Sequence, residues 1–218
     1  MLKAVAFDLD GTLLNTIRDI AAALNTALAE CGFPTYTPRE VEGLVGGGIR
    51  DAVFKACPAG TPVEVVEKVL SIYRPVYRDH CVERTAPYPG VETLLRTLAD
   101  RGVPMAVLTN KSEDTARRII SHFYPDIPFV CVHGRVDGYP LKPDAGAAAR
   151  LLEKTGLQPG DIAFVGDSGV DMTFAVNTGM LPVAAPWGFR SREQLVECGA
   201  RLVADDPAHL LQLLLEQL

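Results

Sequence analysis

Two aspartates, Asp8 and Asp10, stand at the end of the apolar block AVAF (4–7) in the stretch AVAFDLDGTLLNT (4–16). A carboxylate at the end of a buried strand loses hydration it cannot spare unless it is paired, protonated or bound to a metal. Three more polar clusters follow strand-type blocks in the same way. Thr109-Asn110 follows MAVL (105–108), Lys142 lies in PLKPD after FVCV (129–132), and Asp167 with Asp171 follows IAFV (162–165). Acids that merely cap turns would explain each residue singly but not this gathering. Four carboxylates, a lysine and a hydroxyl brought to one edge need a divalent cation and the lysine to offset their charge. The chemistry on offer is metal-assisted work on a small anion.

The elements that must position these residues are legible in the apolar pattern. The blocks 4–7, 105–108, 129–132, 162–165, 181–185 and 201–203 are short and continuous rather than alternating, as expected of parallel strands covered on both faces. Helical patterns separate the later blocks: VETLLRTLADRG, SEDTARRIISHF, DAGAAARLLEKTG and DMTFAVNTG. Three of them stop at glycine, at Gly102, Gly156 and Gly179. The alternation predicts an α/β fold with a doubly wound parallel sheet, in which residues following the strands collect along the carboxyl edge where ligands bind.

Between Thr16 and about Thr85 the pattern turns wholly helical, so a small α-helical module is inserted after the first strand. This gives a core domain of residues 1–15 and 86–218 and a helical domain of residues 16–85. Within the insert, apolar residues from Ile17 to Leu28 share one face of a helix that stops at Gly32. Thr37-Pro38-Arg39-Glu40 and Thr61-Pro62-Val63-Glu64 both have the form of a capping box with proline at the first helical position, and Pro75 is placed to kink or divide the last helix.

The totals narrow the classes. A formal charge of −6 with scattered lysines and arginines argues against a nucleic-acid partner or an anionic membrane surface. The 5 cysteines are odd in number and widely spaced, and the 4 histidines lack ligand spacing, so neither a zinc site nor a disulfide framework is indicated. The run MTFAVNTGMLPVAAPWGF is broken by Asn177, Gly179, Pro182 and Pro186, against a membrane span. A strand begins within a few residues of Met1, leaving no room for a signal peptide, and a cytoplasmic protein is expected. Nothing in the sequence fixes the oligomeric state.

DLDGT, LTN, LKP and GDSGVD, in this order, resemble the four motifs of the haloacid dehalogenase-like phosphohydrolases, and the helical insert after the first motif resembles that superfamily's cap on a Rossmann-like core. The resemblance covers essentially the whole chain. It implies a Mg²⁺-dependent phosphatase acting on a small phosphorylated metabolite through an aspartyl-phosphate. Asp8 is then similar to the nucleophile and Asp10 to the general acid/base. Thr109 and the Asn110 amide would bind phosphoryl oxygens at a helix start, and Lys142 would offset the charge of Asp8 and the phosphoryl group. Asp167 would ligate Mg²⁺ with Asp8 and the Asp10 carbonyl, with Asp171 as a direct or water-mediated ligand. Oxygen donors with room for water suit Mg²⁺ rather than zinc.

In the insert, GLVGGGIRDAV (43–53) fits neither a P-loop nor a dinucleotide fingerprint, because Ile49-Arg50 and Asp51 stand where those patterns need Lys-Ser/Thr and glycine. It reads as a flexible turn before a helix, and it also resembles a segment in the cap of phosphoglycolate phosphatases. That likeness lets the Gly46, Gly47 and Gly48 backbone approach substrate and turns Arg50 toward its carboxylate, with 2-phosphoglycolate as the leading substrate. Alternatives within the same chemistry are an inorganic pyrophosphatase and a sugar-phosphate phosphatase or mutase. Asn15, where many relatives carry aspartate, loosens the subfamily assignment. A non-catalytic binding protein on the same fold would be expected to have lost Asp8, Asp10 or Lys142, and all three are present.

Overall fold

The computed structural model describes Met1–Leu218. Two compact units emerge, one made of Met1–Asn15 with Pro87–Leu218 and the other of Thr16–Ala86.

The first unit is built on a six-stranded parallel sheet. In chain order its strands are β1 (Ala4–Phe7), β4 (Met105–Ser112), β5 (Phe129–Arg135), β6 (Ile162–Gly166), β7 (Leu181–Ala184) and β8 (Leu202–Val203). A further short pair, β2 (Leu14–Asn15) and β3 (Ala86–Pro87), forms a separate two-stranded sheet. The order across the main sheet is β5-β4-β1-β6-β7-β8, with Val5 paired to Met105 on one side and to Ala163 on the other. The chain therefore leaves β1 toward β4 and β5, then crosses back to β6, and the winding direction reverses beside β1. A crevice opens at the carboxyl ends of the strands at such a reversal. All four residues of β1 and all five of β6 are buried, as continuous apolar runs in a two-faced sheet require.

The helices covering the sheet bury apolar residues at helical spacing. In α5 (Val91–Asp100) these are Val91, Leu94, Leu95 and Leu98, and in α6 (Glu113–Phe123) Ala116, Ile119 and Ile120. The segment predicted as one helix from Asp144 begins as a 3-10 turn, Ala145–Ala148, before α7 (Ala149–Thr155). From α8 (Gly169–Thr178), Phe174 meets Phe164 of β6 edge to face, with centroids 4.9 Å apart, an arrangement favoured by the ring quadrupoles. Two helices lie outside the sequence reading, α9 (Arg192–Glu197) and α10 (Pro207–Gln217). Each carries a start signal: Ser191 and Gln194 form a capping box, and Asp206 accepts from the His209 N–H with Pro207 at the first position.

The second unit contains α1 (Ile17–Glu30), α2 (Pro38–Glu42), α3 (Ile49–Ala56) and α4 (Val63–His80). The apolar face of α1, including Ile17, Ile20, Leu24 and Leu28, packs on α4, which buries Val66, Val69, Leu70, Tyr73 and Tyr77. The Thr37–Glu40 capping box forms with both of its reciprocal bonds. The expected second box does not. Thr61 spends its hydroxyl on the Pro58 carbonyl at 2.6 Å, the helix starts one residue late at Val63, and Glu64 falls too early to reach back. Pro75 does not divide α4. The helix runs through to His80, with Tyr73 and Tyr77 stacked across that turn at 5.3 Å. Asp19, in the first turn of α1 and buried, accepts from the Arg84 and Thr85 N–H groups and the Thr85 hydroxyl, which ties the start of this unit to its end.

No helix of the chain is long and apolar enough to cross a membrane. The cysteines are all free, with Cys57, Cys81 and Cys131 buried and Cys198 exposed.

Candidate active site

The ends of β1, β4 and β6 bring the motif residues together. Asp8 follows β1 directly, its N–H still donating to the Val165 carbonyl at 2.9 Å. The chain then turns sharply at Gly11, where φ is +85°, and a Cβ there would lie 2.1 Å from an Asp167 carboxylate oxygen. Glycine is thus required twice over, by the backbone angle and by the approach of the carboxylate. Asp167 is held by the Thr12 hydroxyl at 3.1 Å and the Phe189 N–H at 2.8 Å. The loop carrying Phe189 is itself fastened to the same turn, since the Trp187 indole N–H donates to the Thr12 carbonyl at 3.0 Å.

Lys142 lies at the centre. Its ammonium donates to Asp8 at 2.8 Å and to Asp171 at 2.6 Å. Its backbone is gripped by the Asn110 side chain, which donates to the Lys142 carbonyl and accepts from the Lys142 N–H, both at 2.9 Å. Asp171 is fully engaged: one oxygen meets Lys142, and the other accepts from the Ser168 N–H and hydroxyl as the closing half of the α8 capping box.

Thr109 is buried and close to the end of β4, with its hydroxyl accepting from the Lys111 N–H at 3.3 Å. The expected helix start at Thr109-Asn110 is not what forms. The strand continues to Ser112, and α6 begins at Glu113, so this pair lies at a strand end and cannot borrow a helix N-terminus. The physical reason is the pairing of Ser112 with Arg135 in β5, which keeps the backbone extended beyond Asn110.

The electrostatics follow from burial. Asp8 is pushed up to about 7, first by desolvation, with Asp171 and Asp10 adding to the rise and Lys142 opposing it. Asp167 is raised well above the usual carboxylate range by burial and by the charges of Asp171 and Asp8. Burial works against the Lys142 charge, but the two carboxylates outweigh it and hold the ammonium protonated. Carboxylate oxygens of Asp8, Asp167 and Asp171 all lie within 4.8 Å of one another. One ammonium cannot offset three buried acids in their ionised form, so the cluster must hold protons or a cation, and an all-oxygen donor set of this kind fits a hard divalent cation.

Two functional neighbours escaped the sequence reading. Lys111 pairs with Asp10 at 2.8 Å, its side chain only 7 % exposed. A lysine immediately after the LTN motif, in a partly polar strand end, carried no periodic signal. Thr12, orienting Asp167, was hidden inside DGT as an apparent turn residue. The remaining candidates, Gly46, Gly47, Gly48 and Arg50, lie in the helical unit. There Gly48 is the N-cap of α3, and Arg50 pairs with Glu67 at 2.9 Å while 68 % exposed.

The chain matches the family model for haloacid dehalogenase-like hydrolases over residues 5–185. It is 32 % identical over 217 residues, 98 % of this chain and 96 % of the relative, to the phosphoglycolate phosphatase of Chromobacterium violaceum. With the phosphoglycolate phosphatase of Aquifex aeolicus it shares 31 % identity over 188 residues, 86 % of each chain. Among solved structures, a provisionally named phosphoglycolate phosphatase from Lactobacillus delbrueckii subsp. bulgaricus superposes with a TM-score of 0.91 at 29 % identity, covering 97 % of both chains. The family match takes in all four sheet-edge aspartates and Lys142 together with the parallel sheet that gathers them, and on these grounds the chain belongs to the haloacid dehalogenase-like hydrolase family.

Proposed function

We propose that the protein is a Mg²⁺-dependent phosphatase of small phosphomonoesters, with 2-phosphoglycolate as substrate. The observation that carries this reading is the pairing pattern at the sheet edge. Asp8 is positioned by Lys142, and a second carboxylate, Asp10, is held separately by Lys111. Two acids with different partners suit two different roles.

In this mechanism an Asp8 oxygen attacks phosphorus and forms the aspartyl-phosphate bond while the ester P–O bond breaks. Asp10 gives its proton to the departing alkoxide. It then takes a proton from the water that attacks the aspartyl-phosphate, which releases inorganic phosphate and regenerates Asp8. Thr109 and the Asn110 N–H serve the phosphoryl oxygens, and Lys142 stabilises the charge that gathers on them. Asp8, Asp167 and the Asp10 carbonyl are the groups to hold Mg²⁺, which supplies charge neutralisation for the phosphoryl group. Asp171, already bonded to Lys142 and Ser168, acts chiefly by positioning the lysine. The helical unit of residues 16–86, with its Gly46–Gly48 segment, serves as the cap.

Similarity to the phosphoglycolate phosphatases of Chromobacterium violaceum and Aquifex aeolicus supports phosphoglycolate as the substrate. The test is a panel of kcat/KM values with Mg²⁺ for 2-phosphoglycolate, pyrophosphate and hexose phosphates. A preference for 2-phosphoglycolate of tenfold or more is the expected result, and pyrophosphate or a hexose phosphate hydrolysed faster would overturn the substrate.

A further inference from the structure

We infer that Lys111 reads the carboxylate of the substrate, so that specificity for phosphorylated 2-hydroxy acids is built into the sheet edge and not only into the helical unit. This rests on the substrate reading above and deepens it.

The argument starts from Asp10. As the proton donor to the leaving alkoxide, its carboxyl must come within hydrogen-bond reach of the bridging ester oxygen, about 2.6–3.2 Å. In a phosphorylated 2-hydroxy acid the carboxylate carbon is two bonds from that same oxygen. A cation in contact with Asp10 is therefore beside the carboxylate as well. Lys111 is that cation, with Nζ 2.8 Å from Asp10 Oδ1 and its side chain almost entirely out of solvent. An ammonium carries three N–H donors, enough to serve Asp10 and a substrate carboxylate together.

The two cations that the sequence offered for the substrate have other partners. Lys142 is spent on Asp8 and Asp171, and Arg50 is paired with Glu67 at the surface of the helical unit.

The backbone around Lys111 is also built to hold one position. β5 approaches so closely at Gly134 that a Cβ there would lie 2.5 Å from the Lys111 carbonyl oxygen, so only glycine fits without displacement. Two residues on from Lys111, Glu113 accepts from the Gly134 N–H at 3.2 Å, from Arg117 at 2.9 Å and from Arg150 at 2.6 Å. A lysine on a strand end fastened in this way is pre-organised, and pre-organisation is what a specificity contact requires.

The experiment compares kcat/KM for 2-phosphoglycolate with kcat/KM for ethyl phosphate, which keeps the ester and lacks the carboxylate. It is run on the wild type, Lys111→Met, Lys111→Arg and Arg50→Ala, each checked by thermal unfolding. The expected result is a ratio that falls about 10–100-fold in Lys111→Met, as for the loss of one charge-assisted contact, and that Lys111→Arg largely keeps. An unchanged ratio in Lys111→Met, whether both rates fall together or neither falls, overturns the assignment and leaves Lys111 as at most a positioning residue for Asp10. A ratio that collapses in Arg50→Ala and survives in Lys111→Met also overturns it. A wild type with no preference for the carboxylate-bearing ester removes the substrate reading itself, a failure separable from that of Lys111.

Discussion

Lys142 Nζ lies 2.6 Å from Asp171 Oδ1, and both side chains are only 2 % exposed. A buried pair of this kind is costly to break from one side, because the partner is left charged and unsolvated. Here the loss is compounded, since Lys142 also serves Asp8. Lys142→Met is therefore expected to lower metal-free stability by about 3–5 kcal/mol, measured by urea unfolding in a chelator. Saturating Mg²⁺ should recover part of that stability but little activity.

Asp8→Asn should abolish turnover and phosphoenzyme formation, whereas Asp10→Asn should cripple turnover yet allow slow phosphoenzyme formation with a good leaving group. Stability should move the other way. Asp8 is raised from 3.8 to about 7 in the metal-free fold, so the native state binds more protons than the unfolded chain between those values. Metal-free stability is then lost as pH rises through that window. Asp8→Asn removes the Asp8 share of this dependence and leaves that of Asp167, and at pH 8 without metal the variant should melt at a higher temperature than the wild type. A variant that melts lower would show that the Asp8 carboxylate stabilises the empty site.

Metal should bind tightly enough to be seen without any assay of activity. Adding Mg²⁺ to chelated protein should raise the melting temperature in a concentration-dependent way, and Asp167→Ala should shift that curve to much higher Mg²⁺. Activity should vanish on chelation and return with Mg²⁺, with Ca²⁺ a poor substitute because of its larger, looser coordination. Activity that survives prolonged chelation would exclude the metal role.

Glu113 offers a pH test away from the carboxylate cluster. Its hydrogen bonds from Arg150 and Arg117 and from the Gly134 N–H lower it from 4.5 to about 2, against the opposing effect of burial. A depressed carboxylate stabilises the fold above its unfolded value, and the contribution is lost as pH falls from about 4.5 toward 2. Glu113→Gln should therefore be clearly less stable than the wild type at pH 7, and the gap should narrow as pH falls below 4.5 and close only near pH 2. A gap independent of pH would assign the loss to packing.

The sheet and the gathering of polar residues at its carboxyl edge could be read from the sequence for a simple reason. Blocks such as AVAF and IAFV have no polar residue to place them on a surface, and the aspartates that follow them are too costly to be incidental. What escaped were features set by partners far away in the chain. Whether Thr109-Asn110 begins a helix depends on β5 pairing with Ser112, and no local pattern reports that. The roles of Lys111 and Thr12 exist only because β4 and the Gly11 turn are brought to Asp10 and Asp167. In the helical unit, Thr37 and Thr61 have the same local sequence form, and only the turn at Pro58 separates the box that closes from the one that does not.

The place of β1 in the middle of the sheet has a consequence for how the protein is made. Its two neighbours are β4, some 100 residues later (Val5 with Met105), and β6, later still (Val5 with Ala163). On the ribosome, the segment that becomes the centre of the sheet emerges well before either neighbour and has no strand to pair with until some 100 further residues have followed. The helical unit, whose contacts close within residues 16–86, can collapse in the meantime. For that interval AVAF is an unpaired apolar strand, the kind of segment that aggregates. Charge flanking an apolar segment opposes its association with other chains, so Asp8 and Asp10, whatever they do in the folded site, also stand where gatekeeping residues would be placed.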